Sequence, residues 1–256
     1  MTLKDQVKKN PFTKYFYESK RQLDDVSNRL ETIQKQNTEL LYANIFRDSI
    51  QDSEWVKIRS FSPFQAAANY SLLYKLFKIY DVLQPKSVLE FGLGQTTRLT
   101  AQYAASNQKC KVMAIDSSKE WIDIYNSQLV STPNLTITHL PVGDLRLGKV
   151  TSKDAEYSGL DKIVGKTKFN LVIVDGPIGH LKKYSRTNVV HLIDNLAKDW
   201  VVIFDDAERN GEKNTIELFK NELINRKREY VNFEFSALKS QHYFCSPSIG
   251  SIVHDI

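Results

Sequence analysis

Between Ser87 and Phe204 the chain repeats one unit, a short apolar run followed by a polar, helix-patterned stretch and then another apolar run. The runs are Ser87–Phe91, Lys111–Ile115, Leu135–Leu140, Phe169–Val174 and Trp200–Phe204. Helical patterns fall around residues 96–106, 119–129 and 184–197, and one more, 213–226, follows the fifth run. Parallel strands need long crossovers, so this alternation predicts an α/β fold with a mainly parallel sheet covered on both faces. The tail breaks the pattern: "YVNFEFSAL" and "HYFCSPSIGSIVHDI" read as two strands with no helix between them, an antiparallel pair at one edge. Residues 145–168 form a polar insertion, expected to fold over the sheet's functional edge.

The N-terminal part is different. Phe16, Leu23, Val26, Leu30, Ile33 and Leu40 occupy a and d positions of one heptad register, with Asn37 and Asn44 in phase. A buried amide at an a position such as Asn37 fixes register and favours a parallel dimer. The segment is therefore either a coiled coil that makes a homodimer or an amphipathic helix lying on its own domain. The expected division is an N-terminal helix over 1–45, a helical bridge over 46–85 and an α/β domain over 86–256. Within the bridge, Ser62 and Pro63 read as the cap and first turn of a helix that ends before Pro85.

Composition excludes some classes. No apolar run is long enough to span a membrane, and "MTLKDQVKKNPF" lacks the apolar centre of a signal peptide, so a cytoplasmic protein is expected. Cys110 and Cys245 lie far apart without metal-ligand spacing and read as buried thiols. The net charge of +5 is scattered rather than gathered into a basic stripe. Nucleic acid is not expected as a partner, whereas an anionic small acceptor or glycan suits the charge.

The stretch "SVLEFGLGQTTRLT" is where a strand turns into a helix. In open α/β sheets ligands bind beyond the carboxyl ends of the strands, and Gly92 and Gly94 let the backbone approach one closely. A dinucleotide site wants a third glycine where this chain has Thr97, which disfavours a nicotinamide-dependent oxidoreductase. Glu90 before the turn repels a pyrophosphate and favours a cationic ligand, unless it only bonds the loop's own amides. Asp116 ends the second strand and suits a ribose diol. S-adenosylmethionine, with a sulfonium, an ammonium and no phosphate, meets these demands.

On "LEFGLGQTT", "VMAIDSS", "FNLVIVDGP" and "WVVIFDDAER", residues 62–256 resemble the class I S-adenosylmethionine-dependent methyltransferases. The resemblance implies a Rossmann-like seven-stranded sheet whose last pair is a reversed hairpin. It implies that Glu90, Gly92 and Gly94 line the methionine part of the cofactor and that Asp116, with Ser117 beside it, holds the ribose. Asp144 would lie near the adenine, on which Trp121 is placed to stack. The last glycine of the family's commonest loop is Thr96 here.

Asp175 ends the fourth run, and Asp205 and Asp206 follow the fifth. As neighbours these acids would converge into an all-oxygen cluster suited to Mg2+ or Mn2+. Such a cluster is similar to that of catechol-type O-methyltransferases, although the family's lysine position is Ile178 here. His180 is then the candidate base, with Asp175 beside it and Lys182 and Lys183 as weaker candidates. "VDGPIGH", "YSR" and "IFDDAER" also resemble the glucuronoxylan 4-O-methyltransferases and bacterial relatives. That resemblance implies a carbohydrate hydroxyl as acceptor, with Arg186 or Arg209 holding an acidic sugar. The expectation is an O-methyltransferase; the alternative is a catalytically silent scaffold in a glycan-assembly complex.

Overall fold

A computed structural model describes residues 11–62, 67–179 and 182–256, with side chains from Lys14 onward. Helix α1 (Pro11–Ser49) is followed by α2 (Tyr70–Leu83), β1 (Ser87–Phe91), α3 (Gln95–Ser106), β2 (Lys111–Asp116), α4 (Lys119–Asn126) and β3 (Leu135–His139). Then come β4 (Val142–Leu147), β5 (Val150–Tyr157), α5 (Leu160–Val164), β6 (Phe169–Val174), a 3-10 segment (Thr187–Asn195) and β7 (Leu196–Phe204). Helix α6 (Asn210–Asn225), the hairpin β8 (Val231–Ser236) and β9 (Ser240–Cys245), and α7 (Gly250–Asp255) complete the chain.

Seven strands form one sheet in the order β3-β2-β1-β6-β7-β9-β8, and β4 with β5 forms a separate two-stranded sheet. The first five strands of that order are parallel, while β9 runs antiparallel to both β7 and β8, as the tail predicted. Strand order reverses between β1 and β6, which makes their carboxyl ends the place for a ligand.

Two-sided burial explains the continuous apolar runs. Val88, Leu171, Ile173, Val201 and Ile203 point into a core shared with α2 and α3. Leu89, Val172, Val174, Val202 and Phe204 point into a second core with α6 and the 3-10 segment. Cys110 and Cys245 are buried free thiols.

Three local expectations change. The helix sought from Pro63 begins at Tyr70, and Pro63 itself lies outside the described residues. Its start is set from another element: Glu39 of α1 accepts hydrogen bonds from the Tyr70 and Ser71 amides, an acid satisfying exposed N–H groups at a helix N-terminus. The pattern over 184–197 is a 3-10 segment. Its β-branched members Thr187, Val189, Val190 and Ile193 are stiff, and Asn188 spends its side chain on the Tyr157 backbone. The second tail strand ends at Cys245, after which Pro247 starts a 3-10 turn leading into α7.

Helix α1 is continuous through residue 45, so the boundary expected there falls inside an element. Its last turns belong to the body. Phe46 is buried in the first core, and Tyr42 packs on Tyr74 and Phe235 at ring-centre distances of 5.5 and 5.1 Å. Upstream, Phe16, Leu23, Val26, Leu30, Ile33 and Leu40 are 50–69% exposed. The stripe therefore does not lie on its own domain. Among the described residues no helix is long and apolar enough to cross a membrane.

Candidate active site at the strand ends

The site is built around Gly92. Its φ of +87° is left-handed, and a Cβ there would stand 2.7 Å from the Asp175 carbonyl oxygen, so only glycine fits. Its amide donates to the Ile115 carbonyl at 2.8 Å, turning the chain sharply off β1. On the far side of that contact, a Cβ on Gly176 would stand 2.3 Å from the Tyr157 hydroxyl and 2.7 Å from the Gly92 amide nitrogen. The ends of β1 and β6 thus touch backbone to backbone, which places Asp175 directly against the glycine turn.

Asp116 organises the other flank. Its Oδ2 accepts from the Leu93 amide at 3.0 Å and its Oδ1 from the Ser118 amide at 2.8 Å. Each carboxylate oxygen has a second lone-pair site, so a ribose diol remains compatible with these bonds. Ser117 contributes its carbonyl to the His139 ring at 3.0 Å. Trp121 leans back over the turn: its Nε1 donates to the Leu93 carbonyl at 2.8 Å while the ring stays 41% exposed.

Glu90 has no exposed surface. Its Oε1 accepts from the Thr96 and Thr97 hydroxyls at 2.5 and 2.9 Å, beneath the first turn of α3, and its Oε2 has no hydrogen-bond partner among the described residues. Its partners are helix hydroxyls and not the loop amides that the alternative reading offered. Burial pushes the carboxyl up to about 7, against the lowering effect of the threonine bonds. At neutral pH its negative charge is therefore shared with the protonated form.

The three aspartates converge as expected for neighbouring strand ends. Asp175, Asp205 and Asp206 each offer an oxygen within 4.8 Å of the others. Two other cations are already among them. The buried Arg186 guanidinium lies 3.1 Å from Asp175 and 2.8 Å from Asp206, with Glu212 at 3.5 Å, and it donates to the Asp205 carbonyl at 3.0 Å. The Lys239 ammonium lies 3.3 Å from Asp205 and 3.1 Å from Asp206. Arg209, at 2.7 Å from Asp206, closes the outer side. Arg186 and Asp206 both hold left-handed backbones, with φ of +58° and +56°, strain of a kind that collects at functional sites.

These charges divide the acids into two kinds. Burial raises Asp206, but Arg186, Lys239 and Arg209 outweigh it and hold its carboxyl below the usual value. Burial pushes Asp175 up to about 8, helped by the neighbouring Asp205 and Asp206 charges and only partly offset by Arg186. Burial thus favours the protonated form of Asp175, whose side chain is 15% exposed while that of Asp206 is 1% exposed.

No protein-family model matches the chain, and no curated protein matches it. Solved structures do. The Staphylococcus aureus "putative caffeoyl-CoA O-methyltransferase" aligns over 84% of this chain and 99% of its own, at 12% identity and a TM-score of 0.50. An O-methyltransferase from Bacillus cereus in complex with SAH aligns over 82% and 90%, at 12% identity and a TM-score of 0.48. The fold is the class I methyltransferase fold.

On that fold the glycine turn, Asp116 and Asp175 lie at neighbouring strand ends, and the other expected residues are placed as follows. Asp144 sits in β4 with its carboxylate accepting from the Asp154 amide of β5 at 3.0 Å, an exposed hairpin position. The polar insertion is this hairpin, a device that periodicity cannot distinguish from loop when its strands are polar. His180 lies outside the described residues. Arg186, expected as a clamp for an acceptor carboxylate, is buried and committed to the chain's own acids, whereas Arg209 keeps 34% of its side chain exposed. The expected Mg2+ or Mn2+ does not fit the donor set as folded, because ammonium and guanidinium groups already supply the positive charge.

Sequence reading missed Tyr157, Lys239 and Glu212. Tyr157 ends β5, stacks on Phe91 at 5.9 Å and brings its hydroxyl to the Gly92–Gly176 contact. Glu212 lies in the first turn of α6 beside Arg186, 26 residues away in sequence. Lys239, in "SALKSQ", reads as an ordinary turn lysine. Only its partners' distance through the fold reveals it.

Proposed function

We propose that the protein is an S-adenosylmethionine-dependent O-methyltransferase whose acceptor is a hydroxyl of a sugar or similar small molecule. The observation that carries this reading is Asp175: an acid raised to about 8, partly exposed, and held in backbone contact with the glycine turn. When bound, the donor supplies an electrophilic methyl group and leaves as a neutral thioether. The work left to the chain is orientation and removal of the hydroxyl proton. In its ionised form Asp175 accepts that proton as the acceptor oxygen bonds to the methyl carbon, while Asp206 is held below its usual value by Arg186, Lys239 and Arg209. The half-exposed Arg209 supports an acidic sugar as acceptor. Incubation with methyl-labelled donor and a panel of neutral and acidic glycans tests this, with label expected in a glycan ether. Transfer to no hydroxyl compound would overturn the reading.

The exposed stripe of α1, on which the alternative of a catalytically silent scaffold draws, is compatible with an active enzyme as a pairing surface. The stripe supports pairing with a second copy of this chain through a parallel coiled coil, with Asn37 facing its counterpart at an a position. The charged flanks carry their own i,i+4 pairs, Asp25–Arg29 and Glu31–Lys35. Replacing Leu23 and Leu30 by Glu is expected to halve the mass seen by sedimentation equilibrium while leaving the body folded. An unchanged mass would reject the dimer. A cytoplasmic placement agrees with the two buried free thiols.

A further inference from the structure

We infer that Lys239 is the resident cation of the aspartate cluster: its ammonium holds the place that a divalent ion would take, and the cluster works without a metal. The geometry is direct. The Lys239 Nζ lies within 3.3 Å of an Asp205 oxygen and 3.1 Å of an Asp206 oxygen, and the three aspartate ligand atoms lie within 4.8 Å of one another. A divalent ion would need those oxygens at about 2.0–2.6 Å, and a centre that close to them would sit within repulsive range of the ammonium nitrogen.

Charge points the same way. Asp206 is paired with Arg186, Arg209 and Lys239, Asp205 with Lys239, and both Asp175 and Glu212 with Arg186, so every carboxyl group of the cluster already has a cationic partner. Adding two positive charges beside three resident cations brings repulsion that offsets the attraction of the carboxylates. Burial alone would lower the Lys239 ammonium, yet Asp205, Asp206 and Asp175 together raise it and keep it charged.

The position is also built rather than incidental. Lys239 lies in the turn between β8 and β9, where its carbonyl accepts from the Ala237 amide at 3.0 Å. The next residue, Ser240, is tied to the segment after β7 by two bonds, Ala207 amide to Ser240 carbonyl and Ser240 amide to a Glu208 carboxylate oxygen, each at 2.8 Å. Gln241 then donates to Asp205 at 3.0 Å. The reversed hairpin thus delivers an ammonium over the end of β7, and only 10% of that side chain is exposed. Lys239 acts as a positioning residue: its ion pairs with Asp205 and Asp206 hold both carboxylates beside Asp175.

The inference rests on this charge geometry and not on the methyltransferase reading, so its test uses the full-length protein without methyl donor. In a Mn2+ titration followed by electron paramagnetic resonance, wild type is expected to leave the free-ion signal unchanged up to ~1 mM. Lys239→Met, which keeps the stem and removes the charge, is expected to bind Mn2+, and adding Asp205→Asn to that variant is expected to abolish the binding. Lys239→Arg is expected to stay metal-free. Wild type that binds Mn2+ and releases it to excess Mg2+ would overturn the inference, and so would a folded Lys239→Met chain that binds none. If Lys239→Met does not fold, the wild-type and Lys239→Arg titrations decide.

Discussion

Arg186→Met is expected to cost about 3–5 kcal/mol of folding stability, a large share of the roughly 5–15 kcal/mol that holds a domain together. The guanidinium is the common partner of Asp175, Asp206 and Glu212 and also donates to the Asp205 backbone. A buried ion pair is not necessarily worth much against a well-packed apolar replacement, but removing one partner leaves the others charged and out of water. Here a single substitution strands several carboxylates, with Lys239 and Arg209 left to compensate. The left-handed backbone at residue 186 is as strained for Met as for Arg, so the substitution brings no relief there. Urea unfolding at neutral pH measures the loss. The pH dependence adds a second signature. Asp206 is held below its ordinary value, so its contribution is present above the unfolded-chain value of 3.8 and is lost as pH falls through the lower folded value. The variant should therefore lose less stability than wild type on acidification below 3.8, and the gap between them should narrow. A loss under about 1 kcal/mol at neutral pH would show that the guanidinium is not the keystone of the cluster.

Asp175→Asn is expected to lower turnover by about 10²–10⁴-fold while leaving donor affinity within a few-fold, the range associated with loss of a positioned acid–base group. Asparagine keeps the shape and can still meet Arg186, but it cannot accept the acceptor's proton. Wild-type kcat/KM should rise with pH and level off above about 8, where Asp175 is ionised, and the variant should lose that rise. Stability should move the other way. A carboxyl whose folded value is raised binds a proton more tightly when folded, so wild type loses stability as pH climbs from 3.8 to about 8. The Asn variant has no such penalty and should match or exceed wild-type stability at pH 9. Turnover lost together with stability at high pH would instead assign Asp175 a purely structural part.

The parts of the molecule legible in sequence are those governed by local pattern. Strand β1 and strand β6 follow their apolar runs to the residue, because parallel strands buried on both faces tolerate little else. The glycine turn, the acids at the strand ends and the reversed terminal hairpin follow from the same alternation. What stayed hidden depends on contacts between distant segments. Glu39 caps a helix 31 residues on, so the cap is not written in the residues just before that helix, where Ser62 is the local candidate. Arg186 looked like a surface-facing ligand clamp because nothing near it in sequence announces Asp206, 20 residues away, as its partner. Lys239 meets Asp205 across 34 residues through a hairpin that only the folded sheet positions. Glu90 carried the cationic-ligand argument as a charged wall, yet the fold buries it under α3 where its charge is only partly present.

The proposal that this cleft takes a sulfonium methyl donor is tested most directly by calorimetric titration of the purified full-length chain with S-adenosylmethionine and with its demethylated product. The expected result is saturable binding of both to wild type, weakened at least about a hundredfold by Asp116→Ala through loss of the carboxylate that anchors Leu93 and Ser118 and that the proposal assigns to the ribose. No heat from either compound at millimolar concentration, with uptake of a nicotinamide dinucleotide in its place, would contradict it.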